Sequence, residues 1–188
     1  MMLPDRISDS VIHKAKHDPL VQMFVWHAVL PAQNSERKTG VPASVTIAQG
    51  IVESASGKHH GGKANNYFGI KAPLIKGKHS IGTIATGYTT LNTTEVVKGI
   101  TVPMPDYFRT YKDMADSFED HGVWLKNNSR FRSAVTNYAA TGDADQFAKD
   151  IAIGGYATAH NYAVAIVAVM KRHNLYQYNI KKPAPVAR

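Results

Sequence analysis

The sequence predicts an α+β chain, mainly α, in which one small β excursion interrupts a helical body. Three observations carry this expectation. Residues 42–57 place Ala48, Ile51, Val52 and Ala55 at helical spacing, an apolar stripe facing a core. Further helical patterns stand on both sides of that stretch. Between them, residues 65–111 shift in texture to Gly, Thr, Val, Ile and Tyr, with alternation over 82–88 and again over 94–102, the mark of short strands in a hairpin or small sheet.

Residues 1–17 read as an N-terminal extension, polar over 5–17 with weak helical signals. Asp18-Pro19 is a helix start, with Asp as the cap and Pro in the first turn. Leu20, Val21, Phe24, Val25 and Ala28 form the apolar face that follows. Pro31 is expected to kink or break this helix, Asn34–Lys38 to continue it briefly, and Gly40 to stop it. The central helix then runs over 42–56, with Pro42 in its first turn and Gly57 at its end.

The central helix carries one carboxylate, Glu53, directly after Val52 and so at the edge of the buried face. Two readings stand side by side. A helix glutamate is ordinarily solvated. A partly buried one is pushed towards its protonated form, the state a general acid requires at neutral pH.

Lys58–Lys63 reads as a glycine-containing loop. His59 and His60 are adjacent and lack the spacing of a helical ligand pair, so no metal site is expected, and no cofactor. In the strand-like segment Glu95 is the single glutamate, either a surface strand carboxylate or a functional one. Helical spacing returns with Met114, Phe118, His121/Gly122 and Leu125 behind an Asp113 cap. It continues with Phe131, Ala134, Val135 and Tyr138 up to Gly142, and with Phe147, Ala148 and Ile151 behind Asp143, closed by Gly154-Gly155. A last helix spans about Asn161–His173 with Tyr162, Ile166, Val169 and Met170 inward, Tyr162 reading as structural. Residues 179–188 have linker composition and read as a mobile tail.

Lys and Arg number 22 against 14 Asp and Glu, a net charge of +8, which favours polyanionic surfaces. The charges are scattered and no nucleic-acid motif accompanies them, so specific nucleic-acid binding is not expected. There is no cysteine, which excludes disulfides and thiolate metal sites. The N-terminus lacks a signal-peptide apolar core, and no run reaches the roughly 18 apolar residues of a membrane span.

A groove between a helical body and a β lobe would set Glu53 on one wall and Glu95 on the other, the paired-carboxylate equipment of glycoside hydrolysis. Several motifs, in order, then carry a resemblance: Val29-Leu-Pro-Ala32 and Gly40-Val-Pro42; Ile47-Ala-Gln49 followed by Glu53-Ser-Ala-Ser-Gly57; Asn65-Asn-Tyr-Phe-Gly-Ile-Lys71; Thr94-Glu95 followed by Gly99; Phe108-Arg-Thr-Tyr111 with Asp116-Ser-Phe118; and Gly155-Tyr-Ala-Thr158 with Asn161-Tyr-Ala163. Over about residues 25–176 the chain resembles glycoside hydrolase family 73, the flagellar-rod and autolysin-type β-N-acetylglucosaminidases.

The resemblance implies a lysozyme-like fold over 18–178, its β lobe at about 65–111, and an endo-β-N-acetylglucosaminidase acting on peptidoglycan glycan strands. It implies Glu53 as general acid, Glu95 as second carboxylate (base or stabiliser), Tyr156 beside the acid, and Asn66, Tyr67 and Phe68 in the substrate groove. For Tyr67 and Phe68 core packing remains the other reading. The family's Gly-Trp after Glu-Ser is Ala55-Ser56 here, and its Asp-Pro after Tyr-Ala-Thr is Ala159-His160. Two other functions stay open: a lytic transglycosylase using Glu53 alone, and a non-catalytic wall-binding or virion protein. The expected partner is the anionic cell envelope, the expected state a monomer, and the expected place of action the bacterial wall, reached without a signal peptide as a phage lysin or virion-borne hydrolase would reach it.

Overall fold

The computed structural model describes Ile7 and residues 18–59, 62–97 and 100–180, with backbone alone for 93–97 and 100–103. Helix α1 (Pro19–Thr39) starts at Asp18, whose carboxylate accepts from the amides of Leu20 and Val21, and stops at Gly40 in the left-handed region at φ 78°. Pro31 neither breaks nor splits it. The carbonyl deprived of a donor by the proline belongs to His27, an exposed residue, so water can take over that bond.

Helix α2 (Ala43–Glu53) is the centre of the molecule, and all eleven of its residues are buried. This departs from the expected one-sided stripe. Helices α1, α5 and α6 and the C-terminal 3-10 turn surround α2, so its polar positions are buried as well; Thr46 Oγ1 donates to Pro42 O, while Ser44 Oγ and Gln49 Oε1 have no hydrogen-bond partner among the described residues. Gln49 donates to the Tyr162 hydroxyl at 2.6 Å. Ahead of α2, the buried Glu36 carboxylate accepts from the amides of Ala43 and Ile180 and from the Tyr138 hydroxyl, so an anion from α1 caps the α2 N-terminus.

The β lobe follows. Strands β1 (Leu74–Ile75) and β2 (Lys78–His79) join through Lys76-Gly77, both at positive φ, as a two-residue hairpin turn requires. Strands β3 (Gly87–Val97) and β4 (Ile100–Thr110) pair antiparallel from Gly87 opposite Thr110 to Val97 opposite Ile100. The expected strand over 94–102 is thus shared between the end of β3 and the start of β4, and most of 82–86 is turn. Residues 70–72 flank β4 through Arg109 N–H to Ile70 O and Ala72 N–H to Tyr107 O, which ties the hairpin to the chain leaving α2.

Helices α3 (Met114–Asn127), α4 (Arg132–Thr141), α5 (Ala144–Ile153) and α6 (Tyr162–Arg172) complete the body, with Asp113 and Asp143 capping as expected. A 3-10 turn at Leu175–Tyr178 closes it. Of the expected extension, Ile7 is described: it is buried in the core and exchanges two hydrogen bonds with Asn161. At the other end Asn179 accepts from the Ser44 amide, so the packed body reaches Ile180. The remainder of both predicted terminal segments lies outside the described residues. Among those residues no helix is long and apolar enough to cross a membrane.

Candidate active site

Glu53 is the last residue of α2, and Ser54 explains why. The Ser54 hydroxyl donates back to Gly50 O and accepts from the Gly57 amide, an alternative to continuing the helix. The chain then turns through Ala55, Ser56 and Gly57, all at positive φ. This ending, three residues earlier than the spacing suggests, leaves the Glu53 side chain at the floor of a cleft of about 250 Å³ between α2 and the β lobe.

Three elements bring side chains to that floor. The turn after α5 supplies Tyr156. Gly154 is required there, because a Cβ would lie 2.8 Å from the Phe131 ring and 2.9 Å from Arg130 O; Gly155 follows at φ 76°. The Tyr156 hydroxyl donates to Glu53 Oε1 at 2.9 Å. Its ring packs against Trp124, Phe131 and Tyr162. Helix α3 supplies Trp124 and His121, whose Nε2 lies 3.0 Å from the Tyr156 hydroxyl. The His121 ring stacks on Phe68 at 4.0 Å. Strand β4 supplies Arg109, held by Asp120 at 2.8 Å; Asp120 also accepts from the Tyr111 hydroxyl.

Burial sets the electrostatics. Glu53 is 7% exposed. Desolvation pushes its carboxyl up to about 8, against the opposing pull of the Tyr156 hydrogen bond, so it holds a proton at neutral pH. Burial pushes the His121 imidazole down to about 3, which leaves it neutral. Tyr156 and Tyr162 are both raised well above the ordinary phenol value, by burial first and then by the neighbouring Glu53. The floor is therefore a protonated carboxyl among neutral hydrogen-bonding rings. Glu53 is the one carboxylate lining the cleft among the described residues, and no group of three potential metal ligands occurs among them.

Glu53 and Tyr156 are thus brought together. The backbone of Glu95 lies in β3 opposite Val102, and its side chain lies outside the described residues. The expected trio 66–68 is divided. The Asn66 amide donates to Ile70 O and Arg109 O and accepts from the Ile70 amide, so it is a brace within the β lobe, tying the 66–70 turn to β4, rather than a free sugar donor. Tyr67 packs between Phe24 and Phe118 and lines a different groove beside Gly57. Phe68 reaches the cleft, though nearly buried, as the platform under His121. Sequence reasoning missed Arg109, Trp124 and the contact made by His121. The available signal was a histidine on the buried face of α3, between Phe118 and Leu125.

Residues 30–175 match the family model described as glucosaminidase, mannosyl-glycoprotein endo-beta-N-acetylglucosaminidase. The chain is 31% identical over 165 residues to the exo-glucosaminidase LytG of Bacillus subtilis, covering 87% of this chain and 55% of that protein. It is 30% identical over 159 residues to the peptidoglycan hydrolase FlgJ of Pseudomonas aeruginosa, covering 82% and 37%. The chain thus spans about half or less of these curated relatives. Among solved structures, a truncated glycoside hydrolase domain of Salmonella typhimurium FlgJ superimposes with a TM-score of 0.63 at 28% identity, over 82% of this chain and 97% of that one. The catalytic domain of the Listeria monocytogenes autolysin Auto shares the fold, with a TM-score of 0.71 at 24% identity over 90% and 93%.

Proposed function

The chain belongs to the glucosaminidase family, glycoside hydrolase family 73, and from that premise we propose that it hydrolyses β-1,4 bonds of peptidoglycan glycan strands after N-acetylglucosamine. The observation that carries the reading is Glu53: a carboxyl at the end of a fully buried helix, opening on a cleft and held protonated by its surroundings. In this reading Glu53 gives its proton to the glycosidic oxygen as the bond from the anomeric carbon breaks. The carboxylate so formed accepts the Tyr156 hydroxyl bond already in place. Glu95, on the β lobe, is the proposed second carboxylate: it steadies the positive charge on the sugar ring or takes the proton of the incoming water. The apolar walls at Trp124 and Phe68 suit the C–H faces of pyranose rings. The net charge of +8 supports attraction to the anionic envelope, an attraction that weakens with salt.

The test is release of reducing ends from purified sacculi. Glu53→Gln is expected to lower the rate by about a hundredfold to ten-thousandfold with the fold intact. A folded variant that keeps the parent rate sinks the proposal. Mass spectrometry of the products decides the chemistry: anhydromuramic termini in place of reducing N-acetylglucosamine would make the enzyme a lytic transglycosylase.

A further inference from the structure

The hydrogen bonds behind Glu53 do not end at Tyr156. The tyrosine has one hydroxyl proton and two neighbours, Glu53 Oε1 at 2.9 Å and His121 Nε2 at 3.0 Å, so it can donate to only one of them. The other His121 nitrogen, Nδ1, is buried and has no hydrogen-bond partner among the described residues. These facts select a tautomer. A proton on Nδ1 would bury an orphan N–H donor, and it would turn Nε2 into an acceptor that claims the Tyr156 proton. A proton on Nε2 leaves only an unused acceptor, a lesser penalty. It also makes His121 the donor to Tyr156, whose own proton must then point at Glu53.

We propose that His121 is a positioning residue: as the Nε2–H tautomer it fixes the direction of the Tyr156 hydroxyl, holds Glu53 Oε1 as a permanent acceptor and confines the transferable proton to Oε2. Phe68, stacked on the imidazole at 4.0 Å, keeps the ring in the plane this requires. The inference rests on Glu53 being the acid.

The experiment compares His121→Phe, which keeps the stack and removes the donor, with His121→Gln, whose amide nitrogen can stand near Nε2. With soluble glycan fragments, His121→Phe is expected to lower kcat about tenfold or more at nearly unchanged KM, and His121→Gln to recover most of it. In a Tyr156→Phe background, His121→Phe is expected to have no further effect on kcat. Equal kcat for the Phe and Gln variants, or an undiminished effect in the Tyr156→Phe background, overturns the proposal. NMR of the isotope-labelled imidazole in the parent protein reads the tautomer directly, so a variant that fails to fold does not shield the idea: a proton on Nδ1 also overturns it. If Glu53→Gln stays active, the failure belongs to the general-acid reading and not to His121.

Discussion

A carboxyl buried at the end of an apolar helix has two ways to lower its free energy: keep its proton or find donors. Glu53 does both in part. Burial is the larger influence and raises it to about 8, while the Tyr156 hydroxyl favours the ionised form and draws it back. The signs give a pH prediction. As a general acid Glu53 works below about pH 8 and fails above, so kcat/KM should fall along an alkaline limb centred near that value. Tyr156→Phe removes the group that favours the carboxylate, so the limb should move to higher pH while the rate below it drops. A limb that stays in place would mean that another group titrates. Just past Glu53, Ala55 at φ 50° and Ser56 at φ 60° hold a conformation that side chains with a Cβ resist by roughly 1–2 kcal/mol. The family pattern that the sequence resembles has glycine at the first of these positions. Ala55→Gly is therefore expected to raise the unfolding free energy by about 0.5–1 kcal/mol in urea, since relief of strain exceeds the added freedom of the unfolded chain. At this scale Glu53 and Tyr156 were legible through chemistry and motif. The contact of His121 with Tyr156 was not, because it joins residues 35 positions apart and no periodicity reports it.

Close approach of helices decides what the elements tolerate. Gly122 lies in the middle of α3, where glycine is ordinarily about 1 kcal/mol worse than alanine. Here an added Cβ would lie 2.3 Å from Ser35 Oγ and 2.9 Å from Thr39 Oγ1, on the facing side of α1. Ser35 Oγ is not free to swing away, since it donates to Phe118 O. Gly122→Ala is therefore expected to destabilise by about 1–3 kcal/mol, the reverse of its helix propensity, seen as a lower midpoint in thermal unfolding. Helix positions in this chain were legible because caps and apolar spacing act locally: Asp18, Asp113 and Asp143 all cap where expected. The errors fall where tertiary surroundings outweigh local signals. Pro31 stays inside α1 because its lost bond faces outward. The polar Ser44, Thr46 and Gln49 are buried because α2 is enclosed on every side rather than lying on a surface. The strands were displaced because alternation over 94–102 does not show where a chain reverses.

The two lobes form a cleft only if something holds β4 against α3, and the described residues show a polar clamp there. Asp120 is 2% exposed and accepts from the Arg109 guanidinium at 2.8 Å and from the Tyr111 hydroxyl at 2.7 Å. A second join runs from the Tyr67 amide to Ser117 Oγ on α3 at 3.2 Å, while Asn66 ties the Tyr67 turn to β4 through Arg109 O and Ile70. Arg109 also lines the cleft, so the clamp sets the distance between the β lobe and Glu53. The lobes and their order are legible in the residue pattern, but not this join, because an aspartate behind Phe118 and Glu119 reads as an ordinary helix surface residue. Removing one partner of a buried ion pair leaves the other charged and unpaired, a penalty of about 3–5 kcal/mol. Asp120→Ala should approach that loss in urea unfolding and should raise hydrogen exchange in β4 more than in α2, since α2 is held independently by α1 and α6. Asp120→Asn keeps an acceptor for Tyr111 while losing the charge, so it should fall between the parent and the alanine variant. Catalysis should follow the join: a folded Asp120→Asn enzyme is expected to show a higher KM on glycan fragments, because the wall carrying Arg109 is no longer fixed opposite the acid. Unchanged stability and unchanged KM in both variants would mean that packing around Phe108 and Ile70, not the polar clamp, sets the width of the cleft.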